Sequence, residues 1–178
     1  MSSIETISAS SFMTRDVKTE KEDQNVITAC RIMHENNIGC VVIVNKNLAN
    51  SEKPIGIITE RDVVRLLGSL NPSLLQTPLR DIMSKPLITI SINSSIKDAI
   101  QTMQQKNIRG LVIVEKEKMV GIITDKDIFR AIMNNQDLIP SLLSDKLLIE
   151  RKTVYDQFGE YWFGDILHKR YTEKTNGL

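Results

Sequence analysis

Two stretches of the chain place a threonine three residues ahead of an aspartate, where an apolar run gives way to an amphipathic one. They are Thr59 and Asp62 in GIITERDVVR (residues 56–65), and Thr124 and Asp127 in GIITDKDIFR (residues 121–130). That spacing supports two kinds of chemistry. In the first, threonine and acid form a capping box over the free N–H groups of a helix, worth about 1 kcal/mol per cap. The helix macrodipole also favours an anion in that first turn. In the second, the helix N-terminus receives a phosphate, and a carboxylate at its edge accepts hydrogen bonds from the paired hydroxyls of a ribose. Reciprocal boxes favour Glu or Gln at the third helical position; both copies carry the shorter Asp, which weighs toward the second chemistry. A base precedes each acid (Arg61, Lys126) and an arginine follows it (Arg65, Arg130). Arg61 and Lys126 either supply charge to a ligand or lie on a solvated helix face.

The elements that hold these residues are themselves duplicated. Sliding the chain by 70 residues sets Phe12-Met13-Thr14 on Ile82-Met83-Ser84 and Thr19 on Thr89. Residues 26–44 then align without a gap on 96–114, with 7 of 19 positions identical, among them Asn37/Asn107 and Ile38/Ile108. The offset falls to 65 because residues 45–54 carry five extra positions, an insertion that a hairpin loop tolerates. Within each copy a short extended run (17–20; 87–92) precedes apolar residues at three- and four-residue spacing, Val26, Ala29, Cys30, Met33 and Ile96, Ala99, Ile100, Met103. That spacing predicts a helix with one buried face. Two β-branched runs follow as strands (40–44 and 55–58; 111–114 and 119–123), and a second helix begins at Thr59 or Thr124. The unit is β-α-β-β-α, twice. About fifty residues bury too little surface to stand alone, so the two units are expected to pack sheet against sheet.

At this point the residues resemble a known family, the CBS domain, whose tandem pairs are called Bateman modules. The resemblance covers about residues 11–133 and rests on the Met-Thr/Ser openings, the Asn-Ile strand starts and the doubled Gly-Ile-Ile-Thr-x-x-Asp. It implies an α/β (α+β) architecture of two pseudo-symmetric units with two clefts between them that take adenosine compounds. It also implies that Asp62 and Asp127 hold ribose, with Thr59 and Thr124 beside them near phosphate. Backbone of the first strands would meet adenine, at Val17, Lys18 and Thr19 in one unit and at Leu87 and Thr89 in the other. The start of the middle strand would supply a base to phosphates: Arg109, between Ile108 and Gly110. The first unit departs here, with Ile38, Gly39 and Cys40 and no charge. If each cleft is served by its own unit's middle strand, the Arg109 cleft prefers a phosphorylated ligand and the other a less charged one, or none.

Composition narrows the remaining classes. Lys plus Arg (23) nearly cancels Asp plus Glu (22), so nucleic acid is not expected as a partner. No run is apolar for the roughly twenty residues of a membrane span, and a signal peptide is not indicated; a cytoplasmic location follows as the default. Cys30 and Cys40 read as small hydrophobes. His34 reads as solvated, and His168 lacks a companion at zinc-ligand spacing. No nucleophile signature, P-loop or Gly-x-Gly-x-x-Gly is present, so neither enzyme chemistry nor a required cofactor is expected. Beyond the repeat, Tyr155, Phe158, Tyr161, Trp162, Phe163 and Tyr171 make up six of the chain's eight aromatics. That extension either folds back over the pair, swaps across a homodimer, or docks a protein partner through residues 155–171. The resulting division is 1–70 and 71–135 for the two units and 136–178 for the extension. The function expected is a regulatory module sensing AMP, ADP or ATP, with S-adenosylmethionine or a cyclic dinucleotide as further candidates, and passing the state to a partner. The alternative is an interaction or nucleic-acid-associated scaffold with vestigial clefts.

Overall fold

The computed structural model describes residues 6–46 and 52–134; residues 155–171, and with them the expected tail contacts, lie outside the described residues. In the first unit β1 (Thr19–Lys21) leads to α1 (Val26–Asn36), β2 (Cys40–Lys46), β3 (Glu52–Thr59) and α2 (Glu60–Gly68). A short α3 (Leu79–Ile82) intervenes, and the second unit repeats the order: β4 (Thr89–Ser91), α4 (Ile96–Lys106), β5 (Gly110–Glu115), β6 (Lys118–Thr124) and α5 (Asp125–Asn134). Each unit has one three-stranded sheet, β1-β2-β3 or β4-β5-β6, with the first pair parallel and the second antiparallel. Even the irregularities match, since the ladders shift register at Ile43/Val44 and at Ile113/Val114.

Local chemistry explains the matched positions. Helices α1 and α4 both end on an asparagine in the left-handed region, Asn37 and Asn107 at φ 52°. The N–H of Ile38 then bonds Met33 O, and that of Ile108 bonds Met103 O, at 3.0 Å each. Asparagine tolerates this conformation better than most residues, and the six-to-one bond closes the helix end. The insertion at 45–54 is only partly loop, because Asn45 pairs with Lys53 and Val44 with Pro54. Pro54 is accommodated because β3 is an edge strand and the ladder is already irregular there.

Each sheet buries one face against its own helices. In the first unit Val26, Ala29, Met33, Val41, Ile43 and Ile58 form the core; in the second, Ile96, Ala99, Met103, Leu111, Ile113 and Ile123 do so. A full side chain of this kind contributes about 1.5–3 kcal/mol on burial. The opposite faces meet each other through Val42, Val112 and Ile122, with Val17, Cys40, Ile57 and Leu87 around them. The units therefore pack sheet to sheet.

The segments ahead of each unit cross over. Thr14 N donates to Ile122 O (2.8 Å) and Ile122 N to Thr14 O (2.9 Å), so the first Met-Thr opening is bound to the second sheet. Ser84 and Ile57 make the reciprocal pair at 2.8 and 3.1 Å. Ala9 is buried in the second core, and Leu79 and Met83 in the first.

Candidate functional site

Both Thr-x-x-Asp motifs sit where a sheet's last strand runs into a helix, and both form complete capping boxes. Asp62 Oδ2 accepts from Thr59 N (2.9 Å) and Thr59 Oγ1 (2.7 Å), while Asp62 N donates to Thr59 Oγ1 (3.3 Å). Asp127 and Thr124 repeat these bonds at 2.9, 2.7 and 3.4 Å. A third box of the same kind, Ser95 with Asp98, opens α4 on the exposed surface. Choosing Asp over Glu is thus a habit of this chain's caps and carries no signal for a ligand, contrary to the expectation from sequence. What sets Asp62 and Asp127 apart is burial: their side chains are 16% and 10% exposed, whereas Asp98 is exposed. The cap engages Oδ2. Oδ1 is left to a longer contact, 3.9 Å from Arg65 in the first unit and 3.8 Å from Arg130 in the second.

The middle strands start beside these helix ends. Glu60 N donates to Gly39 O and Asp125 N to Arg109 O, each at 3.0 Å. Cys40 pairs with Thr59, and Gly110 with Thr124. A Cβ at position 39 would come within 3.3 Å of the carboxylate of Glu60, an exposed side chain. Arg109 is exposed, as is Lys126, while Arg61 is half-buried. Ile38 and Ile108 pack against their own cores. Val17 and Leu87 likewise pack into the inter-sheet layer. Lys18 pairs with Asp16 at 2.7 Å, and Thr19 and Thr89 lie in β1 and β4 opposite Val42 and Val112.

Cys40 lies at the edge of the layer between the two sheets. Burial, then the carboxylates of Asp127, Glu60 and Asp125, push its thiol up to about 11. Two of those three acids belong to the second unit, in keeping with the place of Cys40 in the layer between the two sheets. A thiol whose proton is held more tightly in the folded protein than in the unfolded chain stabilises the fold fully below the unfolded value, about 8.5. That contribution is lost as pH rises toward 11. Iodoacetamide at pH 8 should therefore label Cys40 far more slowly in the folded protein than in urea, and Asp127→Asn should move the labelling curve to lower pH. Equal rates in folded and unfolded protein would contradict this. Among the described residues no three His, Cys, Asp or Glu side chains are grouped to hold a metal, and no helix is long and apolar enough to cross a membrane.

Comparison with known proteins agrees with this architecture. The CBS domain family model matches twice, at residues 9–69 and 79–134. An uncharacterized protein of Methanopyrus kandleri is 38% identical over 125 residues, 70% of this chain; the chain spans 62% of that protein's length. A CBS-domain containing protein of Agrobacterium tumefaciens superposes with a TM-score of 0.63 at 25% identity, over 71% of this chain and 93% of that one. The CBS domain pair of protein MJ0100 shares the fold at a TM-score of 0.63 and 23% identity, over 72% and 98% of the two chains. Two matches to one family model, on two sheets that face each other, leave one assignment: the chain belongs to the CBS-domain family and carries the domain as a tandem pair.

Proposed function

We propose that the protein is a non-enzymatic regulatory module, a cytoplasmic homodimer that binds adenosine ligands at Asp62 and Asp127 and passes their presence to a partner protein. The observation that carries this reading is the pair of matching, mostly buried carboxylates, each with an oxygen not engaged by the cap. Ribose hydroxyls are suited to such an acceptor, and the N-termini of α2 and α5 suit the phosphates of AMP, ADP or ATP. A protein of the same fold, MJ0100, was crystallised with 5′-methylthioadenosine and S-adenosyl-L-methionine, which supports the adenosine class. Arg109, whose carbonyl accepts from Asp125 N at the start of α5, would supply a base to phosphates on the Asp127 side, so that side prefers a phosphorylated ligand. Signalling follows by population shift: a ligand touching both units selects one relative orientation by its differential affinity for it.

The capping boxes determine how this is tested. Asp62→Ala or Asp127→Ala removes a cap as well as a ligand contact, so Asp98→Ala serves as the control: it removes an equivalent box on the exposed surface. In calorimetric titrations with AMP, ADP, ATP and S-adenosylmethionine, each cleft variant should weaken binding by about tenfold or more, the factor that 1.4 kcal/mol represents. Asp98→Ala should lose about 1 kcal/mol of stability and bind as the wild type does. Equal loss of binding in all three would reduce the effect to helix stability, and a wild type that binds none of the four would remove the reading.

A further inference from the structure

The helical face of the first unit carries an apolar groove of about 530 Å³ between α1 and α2, lined by Cys30, Met33, His34, Ile38, Val63 and Val64, with Glu60 also at its wall. Beside it α2 leaves Val64 66% and Leu67 52% exposed, and Leu70 beyond the helix end 89%. The second unit differs at the matching position: where α2 has Val64, α5 has Phe129, and that residue is half-buried. The two copies thus differ in size at this aligned position, a half-buried phenylalanine in one and an exposed valine beside a groove in the other. Among the described residues Phe12 and Phe129 are the aromatics, and the other six follow α5 in the sequence.

We propose that residues 155–165 of this same chain seat on the α1–α2 groove of the first unit, with Trp162 as the anchor. Reach is sufficient. The segment from Asn134 to Trp162 spans roughly 30 Å even as a flexible coil, and a body of this size has a radius of gyration of about 14 Å. Charge is complementary as well. Asp156, Glu160 and Asp165 punctuate the aromatic run, and no Lys or Arg occurs from 153 to 168. On α2 the run would meet Arg61, one turn before Val64, and Arg65, whose side chain is 72% exposed. Aromatic anchors with an acidic rim suit a groove of apolar residues bordered by arginines. The apolar lining of the groove does not include Asp62 or Asp127, whereas Arg65 at its border also lies 3.9 Å from Asp62, so the contact is tested in ligand-free protein.

Trp162 is the chain's single tryptophan, so its fluorescence reports on this contact in the full-length, ligand-free protein. Blue-shifted emission with low acrylamide quenching, unchanged on dilution, is the expected result. Val64→Arg, and separately Leu67→Arg, should shift the emission to the red and raise quenching toward that of the urea-unfolded chain. Both positions are exposed, so thermal midpoints should stay close to wild type and show that the fold is intact. Solvent-like emission in the wild type, or emission moved by neither substitution, would overturn the proposal. Shielding that disappears on dilution, in step with dissociation seen by sedimentation, would overturn it too, by assigning the face to a second copy of the chain.

Discussion

Leu79→Ala should cost about 2–5 kcal/mol, the range for truncating a fully buried leucine in a core that cannot collapse around the gap. Leu79 is 0% exposed and belongs to one core cluster with Val26, Ala29, Met33, Val41, Ile43 and Ile58, all of the first unit. Backbone bonds hold the segment in place: Leu79 N donates to Gln24 O (2.7 Å) and Arg80 N to Glu22 O (2.9 Å). By sequence the residue lies after the first repeat has ended, where a linker substitution would cost only a few tenths of a kcal/mol. Urea denaturation separates the two, because a cavity lowers the midpoint at constant slope. A loss below about 1 kcal/mol would mean that the segment is not packed as described. The matching position of the other half, Ala9, is equally buried, so the two cores solve the same contact with side chains of different volume.

Gly121→Ala should be destabilising by about 1–3 kcal/mol through overpacking, and more than half of that loss should disappear when Met13 is shortened as well. A Cβ at position 121 would meet Met13 Sδ at 2.5 Å, Met13 Cγ at 2.9 Å and Thr14 O at 3.0 Å. The methionine can swing away, whereas the carbonyl cannot, because Thr14 is fixed to Ile122 by two hydrogen bonds. A double-mutant cycle of Gly121→Ala with Met13→Ala should therefore show a coupling of about 0.5–3 kcal/mol, as contacting residues do. The companion cycle of Gly121→Ala with Met83→Ala should be additive, because Met83 lies over Gly56 instead. Coupling of Gly121 to Met83 and not to Met13 would refute the crossover.

That crossover also marks the boundary of what the sequence makes legible. Helix faces, strand runs and the duplicated asparagines follow from local periodicity and backbone preference, which act over a few residues and leave their trace in each copy. The choice of partner for Met13 does not. Both copies pair a methionine with a glycine, so Met13 over Gly56 and Met13 over Gly121 satisfy the same pattern; only the three-dimensional path distinguishes them. At the site, Thr59, Asp62, Thr124 and Asp127 are visible as motifs, and their capping bonds follow from the spacing. The preference for Asp over Glu was open to a simpler account already present in the chain, at Ser95 and Asp98. The packing of Val42 and Cys40 of β2 against Val112 and Ile122 depends on how two sheets face each other, a tertiary relation with no local signal.

The exchanged openings have a topological consequence. A cut anywhere between α2 and α3 yields two fragments, neither of which is a closed body. The first carries Ala9 and Met13, made to fit a sheet it no longer has, and exposes the hollow that Leu79 and Met83 had filled; the second is left with the converse mismatch. Each fragment holds the missing piece of the other, so the halves are complementary in the manner of a split protein. In the intact chain the link between them, residues 69–78, keeps that complement at high effective concentration. The tandem arrangement is thus two interlocked folds on one thread, with the repeat unit of the sequence and the closed unit of the structure out of phase by one segment.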